Sequence, residues 1–446
     1  MRASSRPVGR LGGAIRAPGD KSCSHRALMM AGVAEGTSRI TGLLEGEDVL
    51  DTARAIGALG ADVERIGHGE WRVGGVGPAG FRSPRGDLDF GNSGTGVRLM
   101  MGLIGGHDVS VRCVGDASLS ARPMERVLKP LREMGVRADT APGGTLPVRL
   151  TGGNLKAIRY APPEASAQVK SAILLAGLRA SGVTVVEERE ATRDHTERML
   201  RAFGVTVGVE QRADAGPIVS LRGGQELVGM EAAVAGDPSS AAFAIAAGLI
   251  AGEGEVAVSG ILDNATRTGL FDAIAEMGGD IRREPDGQAT GEDTARVTVH
   301  ASRMKGVRLD PALVPSMIDE LPIFAVLAAF AEGDTYVTGA AELRVKESDR
   351  IKAICAMLSV NGVGVEELPD GFIVHGMGPR GVPGDGLVEA RHDHRIAMSA
   401  LVMGSAAREP VAVDNVTMIA TSYPGFFGHM ADLGADMTRA GEPGPP

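Results

Sequence analysis

The sequence predicts an α/β protein of six repeated units, grouped three and three into two domains with helices inside and sheets outside. Three observations carry this. First, a polar opener recurs six times: "GDKSCSHR" from Gly19, "GNSGTGVR" from Gly91, "PEASAQVK" from Pro163, "GDPSS" from Gly236, "PSMIDE" from Pro315 and "HDHR" from His392. The steps between these starts are 72, 72, 73, 79 and 77 residues. Second, each opener leads into an apolar run ("ALMMAGVA", "LMMGLIGG", "AILLAGL", "AAFAIAAGLI", "IFAVLAAFA", "IAMSALVMG") and then a short β-like stretch such as "TSRIT" or "VTVVE". Third, each unit closes on a glycine-punctuated helix end leading into a strand, at Gly60, Gly135, Gly204, Gly278, Gly362 and Gly434.

Each element has a physical reason. The openers hold Ser, Asp, Asn and Gly, whose side chains or small size satisfy the free N–H groups of a helix start. The runs behind them are apolar on nearly every side, so these helices belong in an interior rather than on a surface. Parallel sheets covered on both faces would need longer runs of Val and Ile than these short, mixed strands supply. Glycine after a helical run is the expected left-handed cap. A period near 70 residues is long for a solenoid, and 446 residues fit two globular domains better than an open array of six.

Composition narrows the function. The net charge is −10, and ten Phe, three Tyr and one Trp leave little for base stacking, so a nucleic-acid partner is not expected. Three widely spaced cysteines, Cys23, Cys113 and Cys355, form no zinc pattern and fit a reducing cytoplasm. The apolar runs are about half the ~20 residues that span a bilayer, so a soluble protein without a membrane partner is expected. The "HDH" at His392–His394 lacks a third ligand cluster, and no metal is expected.

The openers nevertheless gather cations. Lys21 and Arg26 lie in the first, Arg122 in "SARPMERV", Arg193 in "ATRDH", Lys346 and Arg350 in "RVKESDR", and Arg395 closes "HDHR". Any one of them alone is an ordinary surface residue. Seven at corresponding edges of the repeats, beside helix starts whose dipoles favour anions, point to a ligand set with several phosphates and carboxylates. Asp319 in "SMIDELP" and Glu347 in "VKESDR" stand among them. If residues 345–352 are helical, Lys346 and Arg350 share a face and Glu347 precedes Arg350 by one turn. Such carboxylates between cations suit a proton acceptor and a proton donor.

Eight stretches, "PGDKSCSHR", "GNSGTGVRL", "GDASLSARPM", "ASAQVKSAILLAGL", "TRDHTERML", "PSMIDELPI", "RVKESDR" and "DHRIAMS", together resemble the 5-enolpyruvylshikimate-3-phosphate synthase family over the whole chain, in wording nearest the bacterial class II form. The resemblance implies two domains of three βαβαββ repeats with buried parallel helices, an inside-out α/β barrel. Their boundaries would be 14–235 for one domain, and 1–13 with 236–446 for the other, with the active site in the interdomain cleft. It implies transfer of the enolpyruvyl group of phosphoenolpyruvate to the 5-hydroxyl of shikimate 3-phosphate, with release of phosphate and with no metal or organic cofactor. Lys21, Ser22, Arg26, Ser166, Gln168, Arg193, Asp319 and Lys346 would hold shikimate 3-phosphate. Lys21, Gly94, Arg122, Gln168, Arg350 and Arg395 would hold phosphoenolpyruvate, where the family's inhibitor glyphosate competes. Asp319 would accept the hydroxyl proton, Glu347 would protonate the methylene carbon, and Lys21, touching both substrates, would complete the catalytic set. A cytoplasmic monomer is expected.

Two positions depart from the commoner pattern of that family. Thr421, in "IATSYP", stands where many members have a lysine on phosphoenolpyruvate, and Ala167 replaces a serine at the shikimate phosphate. The sister transferase acting on UDP-N-acetylglucosamine is the nearest alternative, but its Lys-Asn motif and cysteine loop are absent. A non-catalytic anion-binding homologue would keep the cations and lose the acids. Asp319 and Glu347 are both present.

Overall fold

The computed structural model describes residues 1–441. Five of the six openers become side-chain-capped helix starts. Asp20 caps Lys21–Val33, Ser93 caps Gly94–Gly105, Ser166 caps Ala167–Gly177, Asp237 caps Pro238–Ile250 and Asp393 caps His394–Gly404. The exception is "PSMIDE". It forms a short helix Val314–Met317 and a 3₁₀ turn Ile318–Glu320 before helix Leu321–Phe330, which starts without a side-chain cap. The extra turn pushes Asp319 ahead of the main helix instead of into its first turn.

All six closing glycines adopt positive φ, between 78° and 118°, a region that costs other L-residues strain and glycine almost none. Five of them reverse the chain out of the second helix of the repeat and into a hairpin, and Gly434 leads into the strand Asp436–Arg439, which pairs with Ala3–Arg6. Among the described residues no helix is long and apolar enough to cross a membrane.

The chain divides into two compact units, each with three sheets and three opener helices. One comprises Gly19–Ala235 with Gln288–Glu292. Its helices Lys21–Val33, Gly94–Gly105 and Ala167–Gly177 are buried almost throughout, and each repeat adds a mostly antiparallel sheet. In the first of these, Thr37–Thr41 pairs antiparallel with Glu70–Gly74, which pairs antiparallel with Asp62–Gly67. The fourth strand, Glu231–Ala233, returns from the end of the unit to pair parallel with Thr37–Thr41.

The other unit comprises Met1–Pro18, Gly236–Gly287 and residues 293–441. Helices Pro238–Ile250, Leu321–Phe330 and His394–Gly404 form its interior, and Ala-rich faces let them approach closely. The N-terminal strands are shared out. Ala3–Arg6 sits between Val411–Val413 and Asp436–Arg439, whereas Gly13–Arg16 pairs parallel with Glu255–Leu262. The crossing therefore falls at Pro18/Gly19 rather than at residue 14, because the second strand still needs its partner in the later repeat.

Candidate active site

In the unit built around residues 19–235, three opener helices present the expected residues at their starts. Lys21 begins its helix and makes an ion pair with Asp48 at 3.1 Å. Ser22 is half-buried beside it. Arg26, one turn on, is only 3% exposed. Its Nε donates to Thr196 Oγ1 at 2.7 Å, and its terminal nitrogens donate to Ser171 Oγ and to the Ser22 carbonyl. His25 lies on the same helix, fully buried against Thr52 Oγ1 at 2.7 Å. Burial drives its pKa down to about 3, with Lys21 and Arg26 adding to the shift and Asp48 opposing it.

The second and third openers build an arginine cluster. Gly94 starts its helix behind the cap Ser93, where the missing Cβ would stand 3.2 Å from an Arg122 terminal nitrogen and 3.3 Å from one of Arg98. Arg122 donates to Asn92 Oδ1 at 2.6 Å and to Ser118 Oγ at 3.2 Å. Gln168 lies between them. Its amide nitrogen donates to Thr95 Oγ1, while its oxygen accepts from Arg98 at 3.0 Å and from Arg126 at 3.3 Å. A neutral amide oxygen thus holds two guanidinium groups in place. Burial, followed by the charges of Arg126 and Arg122, lowers the Arg98 pKa to about 9. Among the described residues none of these three arginines makes an ion pair with a carboxylate. Three guanidinium groups so placed favour an anion. Ser166 caps its helix by accepting from Val169 N–H, Ala167 is that helix's first residue, and Arg193 stands half-buried before helix His195–Ala202.

The other unit gathers the acids. Arg350 has a 1% exposed side chain, and its three nitrogens reach three carboxylates: Nε to Asp393 at 2.8 Å, one terminal nitrogen to Asp319 at 3.3 Å, the other to Glu347 at 2.6 Å. Burial opposes the Arg350 charge, but Glu347, Asp393 and Asp319 together outweigh it and raise the pKa. Lys346 pairs with Glu342 at 2.8 Å and approaches Asp319 at 3.9 Å. Arg395 donates to the Asp319 carbonyl at 3.1 Å. Asp393 also accepts from Ser348 Oγ and from the Arg395 N–H, so one buried acid caps a helix and holds Arg350.

The expected helix over 345–352 is not formed. A 3₁₀ segment, Ala341–Val345, ends before Lys346, and the helix starts at Arg350 because Asp349 caps it by accepting from the Lys352 N–H. Glu347 still meets Arg350, but from an irregular connection rather than a helical turn. Thr421 ends a 3₁₀ segment with its hydroxyl turned to the Met418 carbonyl.

Residues that the sequence reading did not single out include Asp48, Arg98, Arg126 and Asp393. Three of these lie in or beside quoted motifs, and a cation one turn behind Gly94 was the available signal for Arg98. Cys23, His195 and Glu292 are a buried group whose potential ligand atoms lie within 4.8 Å of one another. The group contains a His195–Glu292 hydrogen bond of 2.7 Å and has Arg198 at 3.5 Å from Glu292. That neighbouring guanidinium makes it a poor host for a cation.

The architecture is that of an enolpyruvyl transferase: the chain superposes on an enolpyruvyl transferase of Streptomyces tendae with a TM-score of 0.76 over 99% of both chains, a likeness of fold at 20% identity. Over residues 5–430 the sequence matches the family described as EPSP synthase (3-phosphoshikimate 1-carboxyvinyltransferase), and the chain belongs to that family. It is 60% identical to a 3-phosphoshikimate 1-carboxyvinyltransferase of Hyphomonas neptunium, over 97% of this chain and 99% of the relative. It also superposes on an EPSP synthase of Acinetobacter baumannii with a TM-score of 0.89 at 43% identity, covering 98% and 100% of the two chains. Its activity is accordingly transfer of the enolpyruvyl group from phosphoenolpyruvate to shikimate 3-phosphate.

Proposed function

We propose that the two residue sets divide this transfer between them. The observation that carries the division is the Arg350 fork, which holds Asp319 and Glu347 on separate nitrogens of one guanidinium, while among the described residues the arginine cluster of the other unit makes no ion pair with a carboxylate. Lys21, Ser22, Arg26, Ser166, Gln168, Arg193, Asp319 and Lys346 bind shikimate 3-phosphate. Lys21, Gly94, Arg122, Gln168, Arg350 and Arg395 bind phosphoenolpyruvate. Charge-assisted hydrogen bonds to phosphate and carboxylate supply the affinity.

Chemistry follows from proton bookkeeping. Asp319 takes the proton of the 5-hydroxyl as its oxygen bonds to C2 of phosphoenolpyruvate, and Glu347 delivers a proton to C3, which becomes a methyl group. The adduct then loses phosphate from C2, which leaves with the proton that Asp319 took up, and one proton from C3, restoring the double bond. Glu347, now a carboxylate, is the group placed to take that proton back. Arg350 holds both acids in register and adjusts its bonds when the carboxylate of phosphoenolpyruvate arrives. The active form is read as a monomer in the cytoplasm, a reducing compartment with which the free Cys23, Cys113 and Cys355 are compatible.

Phosphate release from phosphoenolpyruvate, measured with and without shikimate 3-phosphate, tests the assignment. Release should require the second substrate. Release that ignores it would overturn the reading.

A further inference from the structure

Lys170 plays no part in the chemistry described so far, yet its placement is specific. It lies on helix Ala167–Gly177, one turn behind the Ser166 cap, with a side chain only 1% exposed. Its ammonium reaches Glu188 and Glu197, both at 2.8 Å and both buried, and donates to the Thr192 carbonyl at 3.4 Å. Glu188 in turn accepts from the Thr192 hydroxyl. Glu197 has a second carboxylate oxygen that is buried and without a hydrogen-bond donor. A charge so enclosed costs several kcal/mol in desolvation and is a weak source of stability, so a positioning role is a better account of it.

These contacts bracket Arg193. On its N-terminal side, Thr192 is held by Lys170 through its carbonyl and by Glu188 through its hydroxyl. On its C-terminal side, Thr196 bonds to Arg26 and Ser171, and Glu197 bonds to Lys170. One ammonium therefore ties down both flanks of a residue on the irregular stretch between strand Val183–Glu187 and helix His195–Ala202.

We infer that Lys170 is a positioning residue for shikimate 3-phosphate recognition: it fixes the 188–194 connection so that Arg193 is presented ready-placed to the ligand. This rests on the reading of Arg193 as a shikimate 3-phosphate ligand. Pre-placement matters because an arginine on a free loop would surrender conformational entropy on binding, and a clamped flank has already surrendered it.

The test is a double-mutant cycle read by calorimetric titration of shikimate 3-phosphate into the full-length chain: parent, Arg193→Ala, Lys170→Met and the double variant. Arg193→Ala should weaken binding by about tenfold to a hundredfold, the range for a lost charge-assisted hydrogen bond. Lys170→Met should weaken it at least fivefold while leaving the KM for phosphoenolpyruvate within about twofold. The double variant should bind no more than about twofold worse than Arg193→Ala, because a residue acting through Arg193 has nothing left to act on. Losses that multiply, or an unchanged affinity in Lys170→Met, would overturn the proposal and leave Arg193 as a ligand. An unchanged affinity in Arg193→Ala would overturn both. Should Lys170→Met fail to fold, Lys170→Met with Glu197→Gln, which removes one buried carboxylate with the cation, goes through the same cycle under the same criteria.

Discussion

The arginines of the two units differ in what neutralises them. Arg350 is buried among three carboxylates and holds its charge firmly. Arg98 is nearly as buried, yet its partners are an amide oxygen and a backbone carbonyl, and its pKa falls to about 9. Both arginines carry a desolvation cost. At Arg350 the protein offsets it internally, so the guanidinium acts as a bracket for Asp319 and Glu347. At Arg98, with Arg122 and Arg126 nearby, the cost stands until an anion arrives. An anion that enters relieves mutual repulsion as well as forming its own bonds, so the unpaired cluster is the better anion binder and the paired one the better holder of acids.

The strongest way to break this comparison is Asp319→Asn. The amide retains a hydrogen bond to Arg350 but cannot accept the hydroxyl proton, a role typically contributing about 10²–10⁴-fold in rate. Turnover should fall by that order, with shikimate 3-phosphate affinity within a few-fold of the parent by titration. A variant turning over within a few-fold of the parent would remove Asp319 as the base.

Arg122→Gln addresses the other side. Loss of one charged donor to phosphate or carboxylate, about 1.5–3 kcal/mol, should raise the KM for phosphoenolpyruvate roughly tenfold to a hundredfold with a smaller change in kcat. Glu347→Gln should show the reverse split, with kcat carrying the loss. If Glu347→Gln raised that KM more than Arg122→Gln does, the division of labour between the units would be wrong.

Acid stability separates the units at a third level. His25 has a folded pKa near 3 against an ordinary 6.5. Between those values the unfolded chain binds a proton that the folded chain does not. Stability therefore falls as pH drops below 6.5, by about 1.4 kcal/mol per unit, or about 3 kcal/mol by pH 4.5. In the other unit His375 has its pKa raised by its hydrogen bond to Asp334, with Glu366 assisting. Its contribution is present below 6.5 and lost as pH rises through the raised value, and at 41% exposure it is small. His25→Gln should destabilise the protein at pH 7, where it loses the Thr52 hydrogen bond, and that deficit should shrink or reverse at pH 4.5. Thermal melts of parent and variant at both pH values check this, and a deficit independent of pH would show that His25 is not the acid-sensitive group.

Much of this organisation was legible in the sequence because it is local. A cap residue before an apolar run and a glycine after the next helix need no knowledge of distant chain, and the five caps and six positive-φ glycines follow from them. The Lys346–Asp349 stretch misled because two competing signals overlap there. Its charges are spaced for a helix, but Asp349 forms an ion pair with Arg344 and caps the following helix, which ends helical geometry just before Arg350. Arg98 and Asp393 escaped notice for a different reason. Their roles depend on partners 70 and 43 positions away in sequence, Gln168 and Arg350. Only the stacking of repeats brings those together.

The gentlest probe of the unpaired cluster is Gly94→Ala. Gly94 has no positive φ, so the alanine backbone is unstrained, and only the added methyl matters. That methyl would stand 3.2 Å from an Arg122 nitrogen, 3.3 Å from an Arg98 nitrogen and 3.9 Å from Leu119 Cδ1. The two closest atoms are ends of flexible side chains, so each can yield a few tenths of an ångström without disturbing the helix. Phosphoenolpyruvate should tolerate the displacement, with its KM rising about fivefold or less, since a packed site resists one added methyl by only about 1 kcal/mol when neighbours can move. Glyphosate, the longer inhibitor expected to compete for this subsite, should meet both the methyl and the shifted guanidinium groups. Its inhibition constant should rise at least tenfold. Steady-state inhibition measured at several phosphoenolpyruvate concentrations gives both constants from one experiment. Equal increases would mean that the methyl damages the subsite generally, and the arginine cluster would then be rigid rather than able to yield.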